Sequence, residues 1–167
     1  MLHGGSARGC SVAHRLDKID LKILDLLQHD ATQSVADIAA QVNLSHNACW
    51  RRMNQLNVDG YIRATVALVN PEMVGVGLTV FMSIRAAEHS EKWLKAFSNS
   101  VSKIKEVVEF YRMSGDVDYL LKVRVKDIPA FDRVYKQLIQ EVKITDVSSA
   151  FAMEEIKSTT CVPLPDA

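Results

Sequence analysis

Two short stretches of this chain carry residue types that could do chemistry. The first is LSHNACWRRMNQL, residues 44–56, which packs Ser45, His46, Asn47, Trp50, Arg51 and Arg52 into one helix-like segment. Carboxamide and guanidinium groups on a helix can pair with base edges: Asn with adenine, Arg with guanine or a phosphate. Arg63, a little further on, is a second phosphate candidate. The second stretch is Ser114-Gly115-Asp116-Val117-Asp118, with Ser148 and Ser149 downstream. Glycine lets backbone amides approach a carboxylate closely, and Asp116 or Asp118 can receive an ammonium group. The hydroxyls of Ser148 and Ser149 could complete such a site. Both stretches also have plainer readings, as a solvated helix face and as an ordinary β-turn built from turn residues.

The elements around each stretch decide between these readings. Residues 16–28, LDKIDLKILDLLQ, place Leu16, Ile19, Ile23, Leu26 and Leu27 at three- and four-residue steps, which predicts an amphipathic helix. Asp17 and Asp20 fall in its first turn, where the helix dipole favours negative charge. Ser34 opens a second helix over 34–41, with Asp37 three residues on in a capping-box-like arrangement. Val42-Asn43-Leu44 is a tight turn, and Asn tolerates the left-handed backbone such turns often need. Ser45 caps a third helix over 46–57, with Cys49, Met53 and Leu56 inward and His46, Asn47, Trp50, Arg51, Asn54 and Gln55 outward. Arg52 sits nearer the inner edge of that helix, within reach of a phosphate backbone. Asp59-Gly60 ends the helix, and Tyr61 to Leu68 alternates as a short strand or wing. Trp50 either packs against that wing or touches a sugar edge or a thymine methyl, and packing is favoured. Three short helices, a three-residue turn and a wing make a winged helix-turn-helix plan over residues 15–70.

Asn70-Pro71-Glu72 marks a boundary, and 71–167 has another rhythm. Strand patterns run over 75–86, 106–115, 117–125 and 144–153. Helical patterns occupy 90–101, capped by Ser90, and Ile128 to about Gln140. The order is β-α-β-β-α-β, a ferredoxin-like arrangement. The tail EEIKSTTCVPL could add an edge segment. The fold class is therefore α+β, a winged helix-turn-helix followed by a βαββαβ domain.

Composition narrows the function. The chain has 20 Lys+Arg, 20 Asp+Glu and zero formal net charge. Residues 1–70 hold seven basic groups (8, 15, 18, 22, 51, 52, 63) against six acidic ones (17, 20, 25, 30, 37, 59). Bulk charge thus gives no footprint of nucleic-acid binding, and any such role must rest on placement. Cys10, Cys49 and Cys161 are odd in number and widely spaced, so no disulfide framework is expected and the cytoplasm is the default. Cys49 reads as a small core residue. The five histidines are scattered and predict no metal site. No apolar run approaches the roughly 20 residues of a membrane span. Residues 1–14, MLHGGSARGCSVAH, read as a flexible leader without a signal-peptide core. No catalytic set or phosphate-cradling glycine loop is evident, and Glu154-Glu155, alternating across a strand, cannot act as one carboxylate pair. An enzyme is not expected, nor any cofactor. An oligomeric amino-acid-binding scaffold that binds no DNA, or a regulatory subunit, is the alternative.

With these motifs placed, the chain resembles the Lrp/AsnC family of bacterial amino-acid-responsive transcription regulators over roughly residues 15–165. The resemblance is carried by LDKIDLKILDLLQ, by NLSHNACWRRMNQL with its following DGYI, by the hairpin RMSGDVDYLLKV and by SSAFAMEEIKSTT. It implies that the first unit binds double-stranded DNA and that the second dimerises and senses a small amino acid near the contact between sensor domains. It also implies homodimers that assemble further, into tetramers or octamers. Hairpin and tail look closest to leucine- or cysteine-responsive members, with a lean to the cysteine type. The chain departs from many relatives at Asn54 and Gln55, where Lys or Arg is common, and at Asn43, where Gly is common. The first departure weakens phosphate attraction, so cooperative binding over several sites is expected rather than one tight contact.

Overall fold

The computed structural model describes residues 15–141 and 144–165, so the expected leader over 1–14 lies outside the described residues. The chain divides into two compact units. One runs to Ala67 and resumes at Ser158; the other is Leu68–Lys157. The division thus falls three residues before the expected boundary, and the end of the chain packs with the first unit.

The first unit holds α1 (Lys18–His29), α2 (Val35–Gln41) and α3 (His46–Val58). Each starts where a side chain can occupy the orphan amides of the first turn. Asp17 caps α1 and forms a full capping box with Asp20. Ser34 Oγ accepts from the Asp37 amide at 3.1 Å, and Ser45 Oγ from the Ala48 amide at 3.3 Å. Ile23, Ile38, Ala39, Val42, Cys49 and Leu56 form the buried core. Ala39 sits beside the turn between α2 and α3, and its carbonyl accepts the Leu44 amide at 2.9 Å. Asn43 takes φ +55°, the left-handed conformation the turn demands.

The expected strand after α3 does not form. Past Gly60, residues 63–70 carry no regular secondary structure and are exposed, without a ladder partner among the described residues. Of the alternating residues only Ile62 packs on the helical core, and a strand needs a neighbour to satisfy its amides. The unit is therefore a helix-turn-helix without a formed wing.

The second unit contains β1 (Leu78–Ala86), α4 (Glu91–Val101), β2 (Val107–Arg112), β3 (Tyr119–Val125), α5 (Ile128–Glu141) and β4 (Ile144–Phe151). The sheet order is β2-β3-β1-β4 and every pairing is antiparallel, which is the ferredoxin-like topology. Period-two alternation sends Val80, Met82, Ile84, Tyr119, Leu121, Val123 and Val125 into a core shared with Trp93 and Phe97 of α4 and Phe131, Val134 and Leu138 of α5. Phe97 is the hub: its ring lies 4.9 Å from Trp93, 5.3 Å from Tyr119 and 5.4 Å from Phe110. The other sheet face carries Phe81, Tyr111, Leu120 and Lys122, aligned by the β1–β3 and β2–β3 registers.

The tail forms no edge strand among the described residues. Glu154 and Glu155 lie beyond the end of β4, so they do not alternate across a strand, and Glu155 pairs with Arg124 at 3.0 Å. Further on, the Val162 amide donates to Gln28 Oε1 at 2.9 Å, and Cys161 Sγ lies 3.3 Å from the Gln28 carbonyl oxygen. The chain end is thereby seated on the last turn of α1.

Candidate nucleic-acid interface and effector loop

The outward face of α3 is assembled by subtraction. Cys49 and Leu56 are buried and Met53 packs against them, so a helix of 3.6 residues per turn must turn His46, Asn47, Trp50 and Arg51 away. Ser45, His46, Asn47, Trp50 and Arg51 are all exposed, and Trp50 retains 54% of its surface. The expected packing of Trp50 is not found, because the wing it would pack against is not there. Arg51 has no ion-pair partner among the described residues. Arg63 is likewise exposed, on the irregular segment just past the turn that ends α3. Burial pushes the Cys49 thiol up from its ordinary range, as suits a core residue and not a nucleophile.

Arg52 departs from its expected role. Its Nη1 lies 2.8 Å from Asp17 Oδ2 and 2.7 Å from Asp20 Oδ1. Asp20 is 2% exposed, and a buried carboxylate requires a partner. These carboxylates hold the Arg52 guanidinium still more firmly protonated than usual, while the Asp20 amide and then Arg52 lower the pKa of Asp17. A guanidinium so engaged is tied into the fold through Nη1. Nothing in the sequence of α3 alone announced this, although two acids at the start of α1 needing a cation were a signal.

The effector candidates form a partial cluster. Ser114, Gly115 and Asp116 are exposed at the tip of the β2–β3 hairpin, closed by the Met113 amide donating to the Asp118 carbonyl at 2.8 Å. Gly115 adopts φ +114°, a conformation L side chains rarely take. Asp118 does not stand free: Oδ2 accepts the Ala86 amide at 2.8 Å, and Oδ1 lies 3.7 Å from His89 Nδ1. Its carboxylate shapes the loop. Arg85, which sequence reasoning missed, donates through Nε to the Asp116 carbonyl at 2.8 Å. Its place as the single cation of the first strand, on the outward face, was the available clue.

The two serines are not brought together. Ser148 lies across from Ser83 on the open sheet face, while Ser149 pairs with buried Met82 on the helix-covered face. Neighbouring strand residues point to opposite faces, so both cannot line one site. Ser148 also lies two strands from the hairpin, about 10 Å away at ordinary strand spacing. Among the described residues no cluster of three or more His, Cys, Asp or Glu could hold a metal, and no helix is long and apolar enough to cross a membrane.

Known proteins share this arrangement. Residues 16–57 match the AsnC-type helix-turn-helix domain, and residues 79–162 match the Lrp/AsnC ligand binding domain. The chain is 53% identical over 152 residues to the glutamate uptake regulatory protein of Zymomonas mobilis, covering 91% of this chain and 93% of that one. It is 45% identical over 150 residues to the DNA-binding transcriptional activator DecR of Escherichia coli, covering 89% and 99%. A Neisseria meningitidis transcriptional regulator solved as an L-Met complex superposes with a TM-score of 0.85 at 35% identity, covering 89% and 97%. With both family domains matched in order and close relatives along nearly its whole length, the chain belongs to the Lrp/AsnC family of transcription regulators.

Proposed function

We propose that this protein is a sequence-specific DNA-binding transcription regulator whose operator binding or assembly is modulated by a small amino acid. The reading rests on one observation above all: α3 satisfies its core with Cys49 and Leu56 and still offers Ser45, His46, Asn47, Trp50 and Arg51 to solvent. A helix fits the major groove and reads it through residues near its N-terminus. Asn47 reads adenine, Arg51 reads guanine or holds a phosphate, Trp50 packs on a sugar edge or a thymine methyl, and Arg63 adds a backbone contact.

The effector binds at the hairpin tip. Asp116 receives its ammonium group, and the Gly115 region and Arg85 meet its carboxylate. Asp118 keeps the loop in shape, and Ser148 stands on the open sheet face. The L-Met complex of the Neisseria relative supports an amino-acid ligand as the class. A second copy pairs through the sheet face that exposes Phe81 and Tyr111, and such dimers assemble further into tetramers or octamers. This gives two recognition helices about one DNA turn apart and offsets the weak net charge through effective concentration. The protein acts in the cytoplasm.

Selection of duplexes from a randomised library, run with and without a mixture of amino acids, tests both halves. Enrichment of a two-fold motif whose strength shifts with one amino acid is expected. Failure to retain any duplex at any salt or metabolite concentration refutes the DNA reading. Calorimetric silence towards all twenty amino acids returns the hairpin to a turn.

A further inference from the structure

We infer that Arg52 is a positioning residue: it ties the middle of α3 to the capped start of α1 and so sets the rotation at which α3 presents His46, Asn47, Trp50 and Arg51 to DNA, without itself contacting the phosphates. The inference rests on the DNA-binding reading and goes beyond it. Arg51 and Arg52 are adjacent, with successive residues about 100° apart around the helix. One is exposed and unpaired among the described residues; the other is held at 2.8 and 2.7 Å by two carboxylates 35 and 32 residues away in sequence.

Those carboxylates are themselves fixed. Asp17 Oδ1 accepts the Ile19 and Asp20 amides at 2.9 and 2.8 Å, and Asp20 Oδ2 accepts the Asp17 amide at 3.1 Å. A capping box that would ordinarily serve one helix therefore anchors a second. Cys49 and Leu56 hold α3 through apolar contact, which resists lifting but is non-directional. The ionic bonds to Asp17 and Asp20 are directional and resist rolling. Rolling matters because side chains reach about 5–6 Å from a helix axis, so a turn of about 20° moves their tips by about 2 Å. Hydrogen bonds to base edges do not survive such a shift.

The test uses the full chain, a duplex recovered by the unaltered protein from the randomised library, and a scrambled duplex of equal composition. The double variant Asp17→Asn with Arg52→Gln leaves the net charge of the knot unchanged, because it removes one acid and one base. Expected is an affinity for the selected duplex lowered about tenfold, with the slope of log affinity against log salt unchanged. A phosphate contact by Arg52 would instead lower that slope by about 0.9 for each copy bound, and that result overturns the inference, as does unchanged affinity. If the double variant does not fold by circular dichroism, Asp17→Asn with Asp20→Asn decides, since Asn also caps helices and neither carboxylate then holds Arg52. Positioning requires its preference for selected over scrambled duplex to fall severalfold. A preference that holds or rises, as freeing a phosphate-binding Arg52 would give, overturns the inference. If the unaltered protein selects no duplex, the DNA reading fails and this inference with it; if it selects one and the variants match it, only the inference fails.

Discussion

Replacing Arg51 by alanine removes a side chain that touches nothing the fold needs. Arg51 is exposed on α3, one position from exposed Trp50, with no ion-pair partner among the described residues. Alanine is at least as good a helix former, so folding stability should change by less than about 0.5 kcal/mol. The effect on DNA should be far larger. A bidentate guanidinium–guanine contact discriminates by about 1–3 kcal/mol. A dimer loses it twice, about 2–6 kcal/mol, and each roughly 1.4 kcal/mol is tenfold in affinity. Fluorescence anisotropy with the selected duplex, at several salt concentrations, reads the loss; calorimetric melting reads stability. If Arg51 holds a phosphate, the same titration shows a salt slope shallower by about 0.9 per copy and little change in sequence preference. Unchanged affinity at every salt would refute the assignment of this face of α3 to the groove. A melting temperature lowered by many degrees would refute the claim that Arg51 stands free of the core.

Three further outcomes are expected. Asp118→Ala leaves the Ala86 amide without its acceptor and should cost about 1–3 kcal/mol, whereas Asp118→Asn, which keeps an oxygen, should lose much less by denaturant melting. The carboxyl of Asp17 is held below its ordinary value of 3.8 by the Asp20 amide and then by Arg52. Its contribution to stability is therefore complete above pH 3.8 and drains away as pH falls through the lower folded value; acid titration of Asp17→Asn should show a flatter decline there than the parent, and parallel curves would contradict it. Gln28→Ala removes the acceptor of the Val162 amide, so hydrogen exchange at Val162 should quicken while Ile23, in the core of the same unit, stays protected; equal protection in parent and variant would mean the tail is held by something else.

Much of the fold could be read from local pattern. Apolar residues at three- and four-residue steps, with Asp or Ser just ahead of them, mark α1, α2 and α3 to within two residues, and Asn43 in the turn takes the left-handed backbone expected of it. Alternation is plainest in β3, and all four strands are shorter than their patterns, which took in unpaired flanking residues such as Ser114 and Gly115 of the hairpin tip. The outward set on α3 was legible for the same reason: buried Cys49 and Leu56 leave the opposite face only one direction to point.

By itself, then, the sequence determined which segments are helices and strands, in what order, and which face of each is apolar, since these depend on backbone geometry and neighbours a few residues apart. It also required Ser148 and Ser149 to face opposite ways, a consequence of period two in any strand. Only the tertiary structure decided that Arg52 belongs to Asp17 and Asp20, that Trp50 stays exposed, that Asp118 serves the Ala86 amide, and that the chain end returns to Gln28. Each depends on groups brought together from more than 30 residues apart, or, for Trp50, on a wing strand that found no neighbour. A charged or hydrogen-bonding side chain takes the partner that the packed core places within reach, and the core is a property of the whole chain.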